Sequence, residues 1–194
     1  MILDCSLLTR EAQQWFAAQF FAELMRVLRT PAVVVVEEAE TVVPAFSRSK
    51  SQFAAQGAVS LWARQCRNYG SGWFFSTQRP QLLHPDVIDA SSAFLAMQTT
   101  GDNASKAILK EATSRVGKTI AQAILNELGQ LAQGEAWLLP DPSWLGGSLS
   151  APMKFKIRKR WTYDSTAVPV IGKPIPPAPK LVAADISAFG KSSK

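Results

Sequence analysis

Cysteine and histidine are scarce: Cys5, Cys66 and His84 are the whole supply in 194 residues. They cannot form a structural zinc site without several acidic ligands, and two thiols cannot staple a disulfide scaffold. A long apolar run is also missing. The longest, Pro31 to Val36, stops at Glu37 and Glu38, far short of the roughly 18 residues that a membrane span needs. The opening residues lack a basic segment followed by an apolar one, so no secretory leader is expected, and a reducing cytoplasm is the expected location. With 47% hydrophobic and 19% charged residues and a mean hydropathy of +0.02, wholesale disorder and coiled coil are excluded. The chain holds enough material for one domain with a core.

The formal charge of +6 is unevenly spread. Residues 1–149 hold twelve lysines and arginines against thirteen acids, whereas residues 150–194 hold nine against two. Attraction to a polyanion is therefore expected from the C-terminal end.

Thr9 suits a helix cap, with Glu11 in the first turn. Ala12, Trp15, Phe16, Phe20, Leu24, Val27 and Leu28 then recur at three and four as far as about Arg29. This predicts a long amphipathic helix, closed by Thr30-Pro31. Ala32 to Val36 is apolar without alternation, the pattern of a strand buried on both faces in a parallel sheet. A polar loop through Pro44 and Ser47 leads to a second helix at about 51–69, and a Gly70–Gly72 break precedes a second apolar strand, Trp73 to Phe75. Beyond it the pattern predicts a short helix from Pro85, a strand at 93–97, helices at about 102–112 and 118–131, and a strand at 136–139. Apolar strands separated by helices predict an α/β fold whose sheet has helices on both faces. Trp15, Trp62, Phe74 and Trp137 are expected in the core, His84 in a loop, and Cys66 with a pKa lowered by Arg64 and Arg67. From Val168 the run VPVIGKPIPPAPK predicts an extended, polyproline-like linker.

Two adjacent acids after four valines are costly unless they meet a cation, water or a polar partner. Ligands gather at strand C-termini in open α/β sheets, and an ATP site needs one carboxylate near Mg²⁺ and another to orient the attacking water. The plainer alternative is that the strand simply reaches solvent at Glu37. Ser76-Thr77-Gln78 ends the next apolar strand, and in a parallel sheet Gln78 and Glu38 converge on one edge. Gly117-Lys118-Thr119 has the look of a phosphate-binding loop, but Ala112 stands where the first glycine belongs and a helical pattern precedes it, so a helix-to-helix turn is expected. Near the end, Lys154, Lys156, Arg158 and Arg160 share one face of a predicted basic strand, with Phe155, Ile157 and Trp161 mainly on the other. Four phosphate contacts there would give a salt slope of about −3.6. The alternative is an edge strand whose lysines discourage pairing with other chains.

In order, VVVVEEAETVVP, ARQCRNYGSGWFFSTQRP and LAQGEAWLL resemble the second half of the HerA/FtsK superfamily of P-loop ATPases. These are ring-forming DNA-translocating motors that include HerA-type helicases and type IV secretion coupling ATPases. The likeness covers about residues 1–161 and leaves 162–194 as a basic, Pro-rich tail. It implies a partial RecA-like P-loop NTPase sheet with the basic strand appended. It places Glu37 at the Mg²⁺ side of the Walker B motif, where the family usually has aspartate, and Glu38 as the catalytic glutamate. Thr77 and Gln78 become the polar strand end that senses the nucleotide, and Arg67, or else Arg64, the finger that reaches a neighbouring subunit. ATP and Mg²⁺ as cofactors, DNA as partner and a homo-oligomeric ring follow from the same likeness. The Walker A loop, which in this family comes well before Walker B, is missing. The resemblance therefore implies a P-loop-bearing segment or subunit as partner, and no appreciable ATP turnover by this chain alone. The alternative is a non-catalytic DNA-binding or assembly subunit derived from such an ATPase.

Overall fold

Helix α1 (Arg10–Val27) begins where the capping signal puts it, with the Thr9 hydroxyl accepting from the Ala12 amide. It packs along α2 (Lys50–Gln65), which Ser49 caps through the Gln52 amide. In this computed structural model the described residues are 3–28, 30–142 and 151–157, and all but Ile157 belong to one compact unit, Met1–Lys156. Arg158, Arg160, Trp161 and the 162–194 segment lie outside the described residues.

Helices α1 and α2 cover one face of a parallel pair, β1 (Val33–Val36) and β2 (Gly72–Phe75). The register sets Val34 beside Trp73 and Val36 beside Phe75, and all four pack into a cluster around Phe21, Val59 and the fully buried Trp62. The opposite face is open. Val33 is 72%, Val35 62% and Phe74 50% exposed, so β1 is not buried on both sides and Phe74 is not core. Unbroken valines signal a strand that prefers cover on both faces; among the described residues only one face receives it. Trp15 is a second correction, 43% exposed on α1, because its side of the helix turns away from α2. The second helix also ends earlier than expected. Residues Cys66–Tyr69 tighten into a 3₁₀ turn that closes on Gly70, whose φ of 67° a side chain would strain.

After α3 (Pro85–Ala90), the chain forms β3 (Ala93–Met97), α4 (Asp102–Val116), α5 (Lys118–Leu128), β4 (Glu135–Pro140) and β5 (Met153–Lys156). The three strands pair antiparallel in the order β3-β4-β5. The described strands thus form two small sheets rather than one parallel sheet, because apolar composition reports how far a strand is covered and not its direction. Ala96 and Leu139 pack with Ile108, Ala112, Ala121, Ile124 and Leu128 into a second core, against which Trp137 is partly buried. Arg115, 7% exposed, ties α4 to the turn before β3. It pairs with Glu111 and donates to the Ser91 carbonyl and hydroxyl at 3.0 and 2.7 Å. Gly117, at φ 81°, joins α4 to α5 and leaves Lys118 exposed. Gly117 is thus the expected helix-to-helix turn, and Lys118 and Thr119 open α5.

Candidate nucleotide-site edge

At the C-terminal end of the parallel pair the two ladders remain tied for one more step. The Ser76 amide donates to the Val36 carbonyl and the Ala39 amide to the Ser76 carbonyl, both at 2.9 Å. Between these bonds lie Glu37 and Glu38, both exposed. Glu38 has φ 49° and ψ 47°, the one positive φ outside glycine among the described residues. A left-handed backbone at such a residue costs about 1–3 kcal/mol and persists only where its surroundings hold it. Here the following 3₁₀ turn (Ala39–Thr41) holds it: the Thr41 amide donates back to the Glu38 carbonyl at 2.9 Å, and Ala39 is completely buried. The bend turns the chain off the end of β1, so both carboxylates stay at the sheet edge. Neither makes a hydrogen bond or ion pair among the described residues.

The end of β2 lies alongside. Thr77 donates its hydroxyl to Glu40 at 2.6 Å and accepts the Arg79 amide at 2.9 Å, which fixes the exit of the strand and leaves Gln78 exposed. Glu37, Glu38, Thr77 and Gln78 are therefore brought to one edge, as the parallel reading required. Sequence reasoning missed Glu40, the third acid of EEAE. The only signal was its place two residues past Glu38, opposite the polar end of β2. It also missed Gln14, a buried amide that donates to the Thr41 carbonyl at 3.2 Å and accepts from Ser51 at 2.8 Å, joining α1, the 3₁₀ turn and α2.

The arginines are elsewhere. Arg67 lies in the 3₁₀ turn that feeds the start of β2, so the four residues of that strand, about 13 Å at 3.3 Å each, separate it from Gln78. Arg64 pairs with Asp86 at 3.4 Å. Within the chain neither meets Glu38. Burial pushes the Cys66 thiol above its ordinary value of 9.0, outweighing the Arg67 backbone bond and charge, so the expected acidification is corrected: the thiol lies inside the core. His84 caps α3, its Nδ1 accepting from the Asp86 amide at 3.2 Å. On β5, the outer strand of its sheet, Lys154 pairs with Glu127 at 3.2 Å, while Lys156 is exposed.

Two exposed carboxylates and a polar strand end fit the water-activating and cation-facing side of an Mg²⁺–ATP site. They do not supply the phosphate cradle, and among the described residues no three acidic, cysteine or histidine side chains gather to hold a metal. No helix of the described residues is long and apolar enough to cross a membrane.

No protein-family profile matches the sequence. Over 153 residues the chain is 26% identical to a probable DNA double-strand break repair helicase HerA of Methanocaldococcus jannaschii, covering 76% of this chain and 27% of that protein. It is 27% identical over 135 residues to a probable helicase of the same organism, covering 70% and 23%. The chain thus spans about a quarter of the length of these curated relatives. Among solved structures, the DNA-packaging ATPase B204 of Sulfolobus turreted icosahedral virus is similar at a TM-score of 0.51 and 18% identity, covering 81% of this chain and 66% of that one. The genome packaging NTPase B204 of Sulfolobus turreted icosahedral virus 2, in complex with AMPPCP, gives 0.50 and 17%, covering 75% and 62%. The chain shares its fold with P-loop ATPases, and its sequence is related to the HerA-like ATPases.

Proposed function

We propose that the chain is the Walker B-bearing part of a HerA-like, ATP-driven DNA translocase or helicase, and that a separate segment or subunit supplies its phosphate-cradling loop. The observation that carries this reading is the convergence of Glu37, Glu38 and Gln78 at one end of a parallel pair whose other face is uncovered among the described residues. Parallel strands are ordinarily covered on both faces and flanked by further strands, and the relatives carry about three times as much additional chain.

Glu38 accepts the proton of the attacking water. Its left-handed backbone, held by the bonds to Ser76 and Thr41, keeps the carboxylate at the strand edge. Glu37 faces the cation side through solvent, its extra methylene relative to aspartate giving it longer reach and looser placement. Gln78 offers its side-chain amide to the transferred phosphate, and Thr77 holds the strand exit in place through Glu40. When bound on the Glu37 side, Mg²⁺ would supply positive charge to offset the phosphate oxygens. Arg67, too far to serve its own chain, acts on the site of a neighbouring subunit in a homo-oligomeric ring, with Arg64 the second candidate. The domain ends at about residue 161, and 162–194 is a basic tail. Lys154 and Lys156 add phosphate contacts from β5, and Arg158 and Arg160, outside the described residues, add two more.

Co-expression with the part of a HerA relative that carries G-x-x-x-x-G-K-[ST] tests the reading. The 194-residue chain alone turns over no appreciable ATP, and the pair does. Glu38→Gln then lowers the restored rate about 10²–10⁴-fold, the range for a lost general base. Restored hydrolysis that survives Glu38→Gln overturns the catalytic assignment. DNA binding without hydrolysis under every pairing supports the non-catalytic subunit instead.

A further inference from the structure

From Thr41 to Pro85 the chain has five arginines and lysines and not one acid, so the near-neutral balance of residues 1–149 conceals a strongly basic stretch. Its most exposed part is the loop that leads from the site edge into α2. There Phe46 is 80% and Phe53 71% exposed, with the exposed Arg48 and Lys50 between them. Neither cation has an ion-pair partner among the described residues. Ser47, Arg48, Ser49, Lys50 and Phe53 line a shallow depression of about 370 Å³. The loop is held in shape from below. Ser47 donates to Gln56 at 2.9 Å, Gln56 donates to the Pro44 carbonyl at 2.8 Å, and the Arg48 amide donates to Gln52 at 2.6 Å.

Two rigidly based phenyl rings standing in water, separated by two cations without ion-pair partners among the described residues and set in a stretch with no acid from Thr41 to Pro85, are poorly suited to an apolar protein partner, which would have to bury both charges. They suit a polyanion with flat apolar faces. We infer that the Phe46–Phe53 loop is a binding surface for single-stranded DNA, in which Arg48 and Lys50 contact phosphates and the two phenylalanines stack on unpaired bases. Duplex DNA keeps its base faces covered and offers only phosphates. The choice of DNA over RNA rests on the motor reading above; the surface itself does not. The Gln56–Pro44 bond ties this loop to the segment that follows the 3₁₀ turn after Glu38.

The test is fluorescence anisotropy of a labelled twenty-residue oligothymidylate with the 194-residue chain, without nucleotide, from 50 to 200 mM KCl. Phe46→Ala/Phe53→Ala weakens binding roughly thirtyfold or more at every salt concentration, with the slope unchanged, since each of two lost stacks costs about 1–3 kcal/mol. Arg48→Gln/Lys50→Gln reduces the magnitude of the salt slope by about 1.4, at about 0.7 per phosphate contact on a single strand. A hairpin duplex shows the charge effect without the phenylalanine effect. All four side chains are exposed, and unchanged circular dichroism melts verify that the variants fold. The inference is overturned if the wild-type chain does not bind, if both variants bind as the wild type does, or if single strand and duplex are weakened alike by the phenylalanine changes. It is overturned equally if those changes convert a dimer to a monomer in sedimentation and leave DNA binding intact, which would give the surface to a second copy. Because no hydrolysis is read, failure of the complementation experiment leaves this result standing on its own, and the reverse holds too.

Discussion

The two sheets are built from similar apolar residues and differ in what lies over them. The antiparallel sheet closes on α4 and α5 through an interior of isoleucine, leucine and alanine, and Arg115 and Glu111 lock it to the turn before β3. The parallel pair closes on α1 and α2 on one side only, leaving Val33, Val35 and Phe74 in water. Yet it is this half-covered pair that carries Glu37, Glu38 and Gln78. The difference teaches that the antiparallel sheet closes on its own helices, while the pair that carries the proposed nucleotide edge keeps one face uncovered among the described residues.

The comparison can be broken first at its strongest point. Arg115→Ala leaves the largely buried Glu111 carboxylate without its partner and should lower stability by about 3–5 kcal/mol, read as a shift of the urea midpoint. Replacing both residues by apolar ones of similar volume should recover much of that loss; no recovery would mean that Arg115 matters through its bonds to Ser91 instead. The asymmetry of the parallel pair is sharpened next by adjacent valines. Val34→Ala, on the packed face, should cost about 1.5 kcal/mol at about 0.8 per buried methylene, whereas Val35→Ala should stay within about 0.5 kcal/mol in the chain alone. In the complemented pair the ranking should reverse, with Val35→Asp preventing co-purification. Equal effects of the two alanines on the isolated chain would show that the open face is covered after all. The smallest effect is at Cys66. Because burial raises its pKa, the fold holds the thiol proton that the unfolded chain releases. Stability from this group is complete below the ordinary thiol value of 9.0 and is lost as pH climbs through the higher folded value. Denaturation midpoints between pH 8 and 10 should fall more steeply for the wild type than for Cys66→Ala; parallel slopes would refute the burial account.

Much of the layout was legible in the chain itself. Thr9, with the three-and-four spacing after it, gave α1, and the Gly70–Gly72 break and Gly117 marked where helices stop. The convergence of Glu38 with Gln78 followed from two apolar strands ending in polar residues. Trp15 and Phe74 were misread because periodicity reports that a residue is apolar and not whether a neighbour arrives to cover it. Cys66 was misread because Arg64 and Arg67, adjacent in sequence, extend into solvent while the thiol turns inward. Glu40 and Gln14 escaped notice because each acts across 27 or more residues of chain, on Thr77 and on Thr41 and Ser51.

What the sequence determined by itself is local: where most helices and strands begin, which strand ends are charged, and that Gly117-Lys118-Thr119 is a helix junction and not a cradle. Caps, glycines and hydrophobic period act within a few residues, so one chain suffices to read them. What only the tertiary structure decided is long-range: among the described residues, two sheets instead of one, a bare face beside the acids, and a left-handed Glu38 between Val36 and Ala39, both tied to Ser76 at the end of the next strand. Those depend on which surfaces meet, and that is settled by the packing of the whole chain, not by any stretch of it.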